Sequence, residues 1–379
     1  MMKTKDKVVR VLMVLAVAMI FGCSSNDDQK ETSEKEVINK DVAILKRKQF
    51  EQIYQHEISV LLATLDTKAE EIVLQAKSFQ NTQNANSLND LQAAWKELQL
   101  IWKPLELYDI GPVSQTFISF ELNRWPTDVS KIEDTILSDE VINEAFVNSK
   151  GSSQKGISAL EYLLFFETDS LSPLARFTSS ESGIRNVAYL VAVTENLKTN
   201  VERYKEAWEQ YKARFMMATE TGISGSQNRL INTMISLTED IILEKLGVPL
   251  GDKDGGEIAT NTVESPYAEF SKEIIQSHVT AMEELFTGNF NGISEENVGF
   301  SNFLILNERQ DLVNSFEKAF VDCKTKLNAI EGSLAKELVL NKLAVLELKD
   351  SFVTLKRLLE VDMASALGFT ITLNDNDGD

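Results

Sequence analysis

From Asp41 onward, apolar residues recur every three or four positions. Phe50, Tyr54, Ile58, Leu61, Leu65, Ala69, Ile72, Ala76 and Phe79 fall on one helical face. Asn81 to Asn86 interrupts the row. A second helix carries Leu91, Trp95, Leu98, Trp102 and Leu105, with Pro104 at its end and a Gly111-Pro112 turn beyond. Thr178-Ser179-Ser180-Glu181 reads as a capping box opening a long helix through Val187, Leu197, Tyr204, Trp208 and Phe215. After the Gly222–Gly225 break the rows resume: Leu230 to Lys245, Tyr267 to Leu285, Phe316 to Ile330 and Leu338 to Ala366. Alternating strand patterns are almost absent. The pattern predicts an all-α protein of two antiparallel helical bundles, over residues 41–218 and 219–379.

One row contains an anomaly. In Lys155 to Glu167, Ile157, Leu160, Leu163 and Leu164 gather on one side of a helix, and Glu161 projects among Ile157, Leu164 and Phe165. Ser158 lies three positions earlier on the same face. A carboxylate buried there is costly unless it is paired, hydrogen-bonded or protonated. Ser158 alone is too little, so a second donor is expected, and Arg124 and the Trp125 indole N–H are the candidates.

The chain opens with Lys3, Lys5, Lys7 and Arg10, an apolar run from Val11 to Phe21, and Gly22-Cys23. This order reads as a lipoprotein signal over residues 1–22, cleaved before an acylated Cys23, with residues 23–40 as a polar tether. The expected location is the bacterial cell envelope, lipid-anchored at the outer membrane on its periplasmic face or at the surface. Cleavage removes Lys3, Lys5, Lys7, Arg10 and Asp6, a net of +3, and moves the formal charge from −20 to −23. So acidic a surface excludes nucleic acid as a partner. With Cys23 acylated, Cys323 has no intrachain partner, and its place on the row Phe316, Phe320, Cys323, Leu327 makes it a small core residue.

Little chemistry survives inspection of the remaining residues. The two histidines, His56 and His278, form no zinc-peptidase motif, and His278 sits on an apolar row as a core residue would. No nucleophile elbow surrounds Ser158 or Ser224. Asp252-Lys253-Asp254-Gly255-Gly256-Glu257 and Asp375-Asn376-Asp377-Gly378-Asp379 are fragments of calcium-loop patterns that complete no binding loop. Paired E-x-x-H motifs and nucleotide-binding glycine loops are absent.

Four stretches carry a resemblance. GISALEYLLF, with Gly156 and Glu161, is similar to the imelysin family signature of glycine, any residue, histidine, two residues and glutamate, with Ser158 at the histidine position. AWKELQLIWKPLELYDIGPV resembles the family's tryptophan-rich helix and glycine-proline turn. Glu121 to Asp128 resembles its tryptophan-proline loop with a downstream aspartate, and LGFTITLNDNDGD its C-terminus. With the Glu264-Ser265 loop, the likeness runs from about residue 41 to the end. It implies the two-bundle fold, a cleft facing the second bundle lined by Gly156, Ser158, Glu161, Arg124, Trp125 and Asp128, and Glu161 as a metal ligand. It further implies iron or another divalent cation as the ligand, iron-uptake components as partners, and a non-enzymatic role. The alternative implied is a metallopeptidase of the insulin-cleaving type, which the missing histidine disfavours.

Overall fold

The apolar rows close into helices where their spacing places them. The computed structural model describes residues 27–372, apart from 169–170, 254 and 293–296. The signal segment, Cys23 and the acidic tail Asn374–Asp379 lie outside the described residues. Among those described there is no strand, only an isolated bridge between Thr168 and Leu171. The longer helices are α1 (Asp27–Ile53), α2 (Ser59–Asn81), α3 (Ala85–Glu106), α4 (Gly156–Phe165) and α5 (Ser180–Met217). In the second half they are α6 (Ser226–Asp240), α7 (Ser271–Thr287), α8 (Gln310–Asn328) and α9 (Lys342–Arg357). α1 therefore takes in most of the polar stretch expected as a tether. No helix of the described residues is long and apolar enough to cross a membrane.

Local sequence explains most boundaries. Asn84 caps α3 by accepting from the Ser87 backbone N–H at 3.0 Å, while the Ser87 hydroxyl accepts from the Asn84 N–H at 3.2 Å. Pro104 is accommodated in the last turn of α3 and does not end it. α5 starts after Ser179, whose side chain makes no capping bond to the helix. The expected Thr178 capping box is thus not the starting device, because the helix begins one residue later. Three wide π-type turns, Tyr54–Ile58, Ile241–Gly247 and Leu358–Met363, follow α1, α6 and α9. Each shifts the inward-facing row by part of a turn, as an extra residue in a helix does.

From Lys46 onward the helices fold as one unit. α2 packs on α3 and α5, and α4 lies against both α3 and α5. In the second half α8 packs on α7 and α9, and α7 crosses to pack on α3 of the first half. Trp95, Trp102 and Trp208 are all fully buried, and Trp102 meets Tyr204 edge-on at 5.3 Å between ring centroids. Burying each such aromatic contributes about 1.5–3 kcal/mol, so this aromatic seam is a main source of stability. Cys323 is fully buried and free, as its row indicated.

Candidate functional site at the signature helix

The sequence of α4 demands its position. Gly156 has φ +75°, and a Cβ there would lie 2.4 Å from the Leu122 carbonyl oxygen and 2.8 Å from that of Glu121. Only glycine allows this backbone approach. It presses the start of α4 onto the segment that leads to Arg124 and Trp125. The role of Gly156 is therefore packing, and it brings Ser158 within reach of Asn123.

Both polar groups of α4 are buried, as the helical wheel requires, with Ser158 6% and Glu161 3% exposed. The Ser158 hydroxyl donates to Asn123 Oδ1 at 2.6 Å. Glu161 Oε1 accepts the backbone N–H groups of Tyr267 at 2.9 Å and Ala268 at 3.0 Å. The expected donors Arg124 and Trp125 are not the partners of this carboxylate. The loop before α7 reaches it instead, and main-chain amides in a loop leave no mark on the sequence. Burial pushes the Glu161 carboxyl up to about 7, against the two amide bonds that favour its ionised form. The Ser265 hydroxyl, itself buried, faces the carboxylate and closes no hydrogen bond of normal geometry.

Beside α4 runs a buried ionic network that joins the two halves. Asn123 Nδ2 donates to Glu106 Oε1 at 3.4 Å, and the same oxygen accepts from Trp102 Nε1 at 2.8 Å and Lys103 Nζ at 2.7 Å. Lys103 also pairs with Glu264 at 2.7 Å, Glu264 with Lys245 at 2.7 Å, and Lys245 with Asp240 at 2.7 Å. Burial alone would raise the carboxyls of Glu106 and Glu264, but Lys103 and Lys245 outweigh it and hold both below the ordinary range. Burial would likewise lower Lys245, yet Asp240, Glu264 and Glu106 keep it firmly protonated. His278 is fully buried, and its Nε2 lies 2.8 Å from Glu106 Oε2. Burial pulls its pKa down against the pull of Glu106, so the neutral ring donates from Nε2. The core position expected for His278 is thus correct.

The network surfaces in a cavity of about 700 Å³ lined by Arg124, Trp125 and Pro126 from the first half, with Asp240, Glu239 and Glu244 opposite. The Lys245 ammonium stands 5.8 Å from the centre of the Trp125 ring. Glu239, Asp240 and Glu244 pair with Lys356, Lys245 and Lys253 respectively. Of the expected site residues, Arg124 and Trp125 line this cavity, while Ser158 and Glu161 do not; Ser158 joins the network through Asn123 and Glu106, and Glu161 meets the Tyr267 and Ala268 amides. Asp128 instead caps the following helix, accepting the Lys131 N–H at 3.1 Å. Among the described residues no group of three or more His, Cys, Asp or Glu side chains converges on a metal position.

Lys103, Glu106, Asp240 and Lys245 were not singled out from the sequence, and Glu264 entered only through the loop it shares with Ser265. Lys245 did carry a signal, a lysine at the end of an apolar row. Glu106 carried another, four residues after Trp102 and three after Lys103 on one helical face.

Comparison with known proteins completes the description of the site. No curated protein matches the sequence. An imelysin-like protein from Psychrobacter arcticum shares the fold at a TM-score of 0.73, with 18% identity over 87% of this chain and 98% of that one. A protein named iron-regulated protein A precursor from Parabacteroides distasonis does so at 0.70, with 16% identity over 85% and 95%. At these identities the likeness is one of fold. The family model for imelysin matches residues 61–350, which include the signature helix, the tryptophan-proline segment and every residue of the ionic network, and the chain therefore belongs to the imelysin family.

Proposed function

We propose that this protein is a non-enzymatic, lipid-anchored envelope protein of iron acquisition, and that it takes an iron chelate in the cavity between Trp125 and Asp240. The carrying observation is the state of the signature helix. Ser158 donates to Asn123, and Glu161 is held by two amides of the loop before α7. A peptidase would need a carboxylate free to move a proton and a fixed metal beside it. Neither group of this helix is available for that work.

The cavity favours a chelate over a bare ion. Each acid on its wall is already ion-paired to a lysine, so a bare cation would have to displace those lysines and then find a third ligand. Iron carrying its own donors needs only a shape and a charge to recognise. The Trp125 face and the Arg124 guanidinium supply these, with hydrogen-bonding groups from Asn261 and Thr262 nearby. The iron-regulated name of one structural neighbour supports this direction. Acylation of Cys23 would keep the cavity at the membrane, and Cys23→Ala would then leave an unprocessed precursor.

The test uses tryptophan fluorescence. Trp95, Trp102 and Trp208 are fully buried, while Trp125 lines the cavity. Ferric citrate is expected to quench the wild type and to leave Trp125→Phe unquenched. Absence of quenching and of calorimetric heat would defeat the proposal. So would chelator-sensitive casein cleavage that disappears in Glu161→Gln.

A further inference from the structure

The wall of the Trp125 cavity continues, through Arg124, onto an exposed pair of aromatic rings. Phe117 and Phe120 are 65% and 43% exposed, and their rings lie nearly parallel, 18° apart with centroids at 6.3 Å. Arg124 lines the cavity, and its guanidinium also lies over the Phe120 ring, 5.1 Å from the centroid. Cavity and aromatic pair therefore share a residue. Phe117 reaches its place against the preference of its backbone. Its φ is +56°, in the left-handed region that a bulky side chain avoids. A strained backbone that holds a ring in solvent gains nothing from burying it, and such strain gathers where a surface has work to do.

The charge of the wall narrows what could bind there. Glu239, Asp240 and Glu244 are each met by a lysine. Arg124 is exposed and pairs with no carboxylate among the described residues. The cation left open to a ligand is thus a guanidinium already stacked on a ring. Such a group takes anionic oxygens in its planar fork and lies flat on aromatic faces. The ligand that matches this edge carries negative oxygens on a flat ring. An aliphatic carboxylate offers the charge without the ring.

We infer that the cavity selects chelates whose iron-binding groups are anionic aromatic rings, of the catecholate class. This inference rests on the reading of the cavity as an iron-chelate site, and it names the chemistry taken there. One ring of the chelate stacks on Phe117 and Phe120, and its oxygens face Arg124. The rest of the complex enters between Trp125 and Asp240, in a space of about 700 Å³ that suits a small molecule. Ring stacking and cation–π contact of this kind are together worth about tenfold in affinity.

Isothermal titration calorimetry compares the ferric complex of a hexadentate tris-catecholamide with ferric citrate. The wild type is expected to bind the aromatic complex about tenfold more tightly. Phe120→Ala and Phe117→Gly bring the two affinities close to parity, and Arg124→Gln weakens both. Glycine is at home in the left-handed region, so Phe117→Gly melts no lower than wild type, which separates lost preference from lost fold. Equal affinities in the wild type, the result if the aromatic pair instead docks another protein, would overturn the inference and leave the chelate cavity standing. A preference that survives both phenylalanine variants would do the same. Binding of neither complex would remove the inference together with the reading beneath it.

Discussion

The carboxylate of Glu161 accepts the backbone N–H of Tyr267 at 2.9 Å, a bond that spans 106 positions of the chain. A second bond from the Ala268 N–H reaches the same oxygen at 3.0 Å. The glutamate that ends the family signature therefore acts here as a clasp between the first half of the chain and the loop preceding α7.

Removing the clasp is expected to cost stability. Glu161→Ala leaves two buried amides without an acceptor, a loss of about 2–4 kcal/mol. Glu161→Gln keeps a carbonyl oxygen for the amides and is expected to lose less than half as much. Urea unfolding of both variants measures the difference. Equal losses would show that side-chain packing, and not the two amide bonds, fixes the loop.

The raised carboxyl of Glu161 has a consequence for pH. Its ordinary value is 4.5 and the folded value is about 7, so between these limits the native state holds a proton that the unfolded chain has released. Stability from this group is then full below pH 4.5 and declines as pH rises to 7, by a few kcal/mol in all, on the order of 3. Glu57, raised to about 8 chiefly by burial, acts in the same direction. Glu106 and Glu264 act oppositely, since their depressed carboxyls stabilise above pH 4.5 and lose that contribution as pH falls through the folded values. His278, held neutral, also costs stability as pH falls below 6.5, and offsets part of the Glu161 slope. The maximum is expected near about pH 5. Denaturant midpoints between pH 5 and 7 should fall less steeply in Glu161→Gln than in wild type, and parallel slopes would rule this account out.

Lys103 is 1% exposed and bridges Glu106 to Glu264, each at 2.7 Å. Lys103→Met leaves both acids short of a cation in the interior. The expected loss is about 3–5 kcal/mol. Pairing it with Glu264→Gln should recover part of the loss, because the second change removes the uncompensated charge. A double-mutant cycle in which the two losses simply add would mean that the residues do not interact.

Ser158→His restores the histidine of the family signature, but into a position that is 6% exposed and already bonded to Asn123. Overpacking a filled site typically costs about 1–3 kcal/mol. The variant is expected to melt at lower temperature and to remain without casein-cleaving activity when zinc is added, since Glu161 stays bound to the two amides. Zinc-dependent cleavage by the variant would show that the histidine alone separates this chain from a peptidase.

Periodicity determined the helices, the near absence of strands, the buried state of Glu161 and the core positions of His278 and Cys323. Each of these depends on which face of one helix a residue occupies, and a local period of 3.6 residues states that directly. Tertiary structure alone decided who meets Glu161, since its donors are main-chain amides whose position depends on how the loop before α7 is held. It also decided that Lys103 of α3 and Lys245 beyond α6 converge on Glu264, and that Arg124 and Trp125 face a cavity and not the carboxylate they were expected to serve. These partnerships join residues far apart in the chain, and they arise only when α3 and α7 are packed together. A charged residue on an apolar row announces that it needs a partner, but the choice of partner lies in the packing of elements whose order the local pattern does not encode.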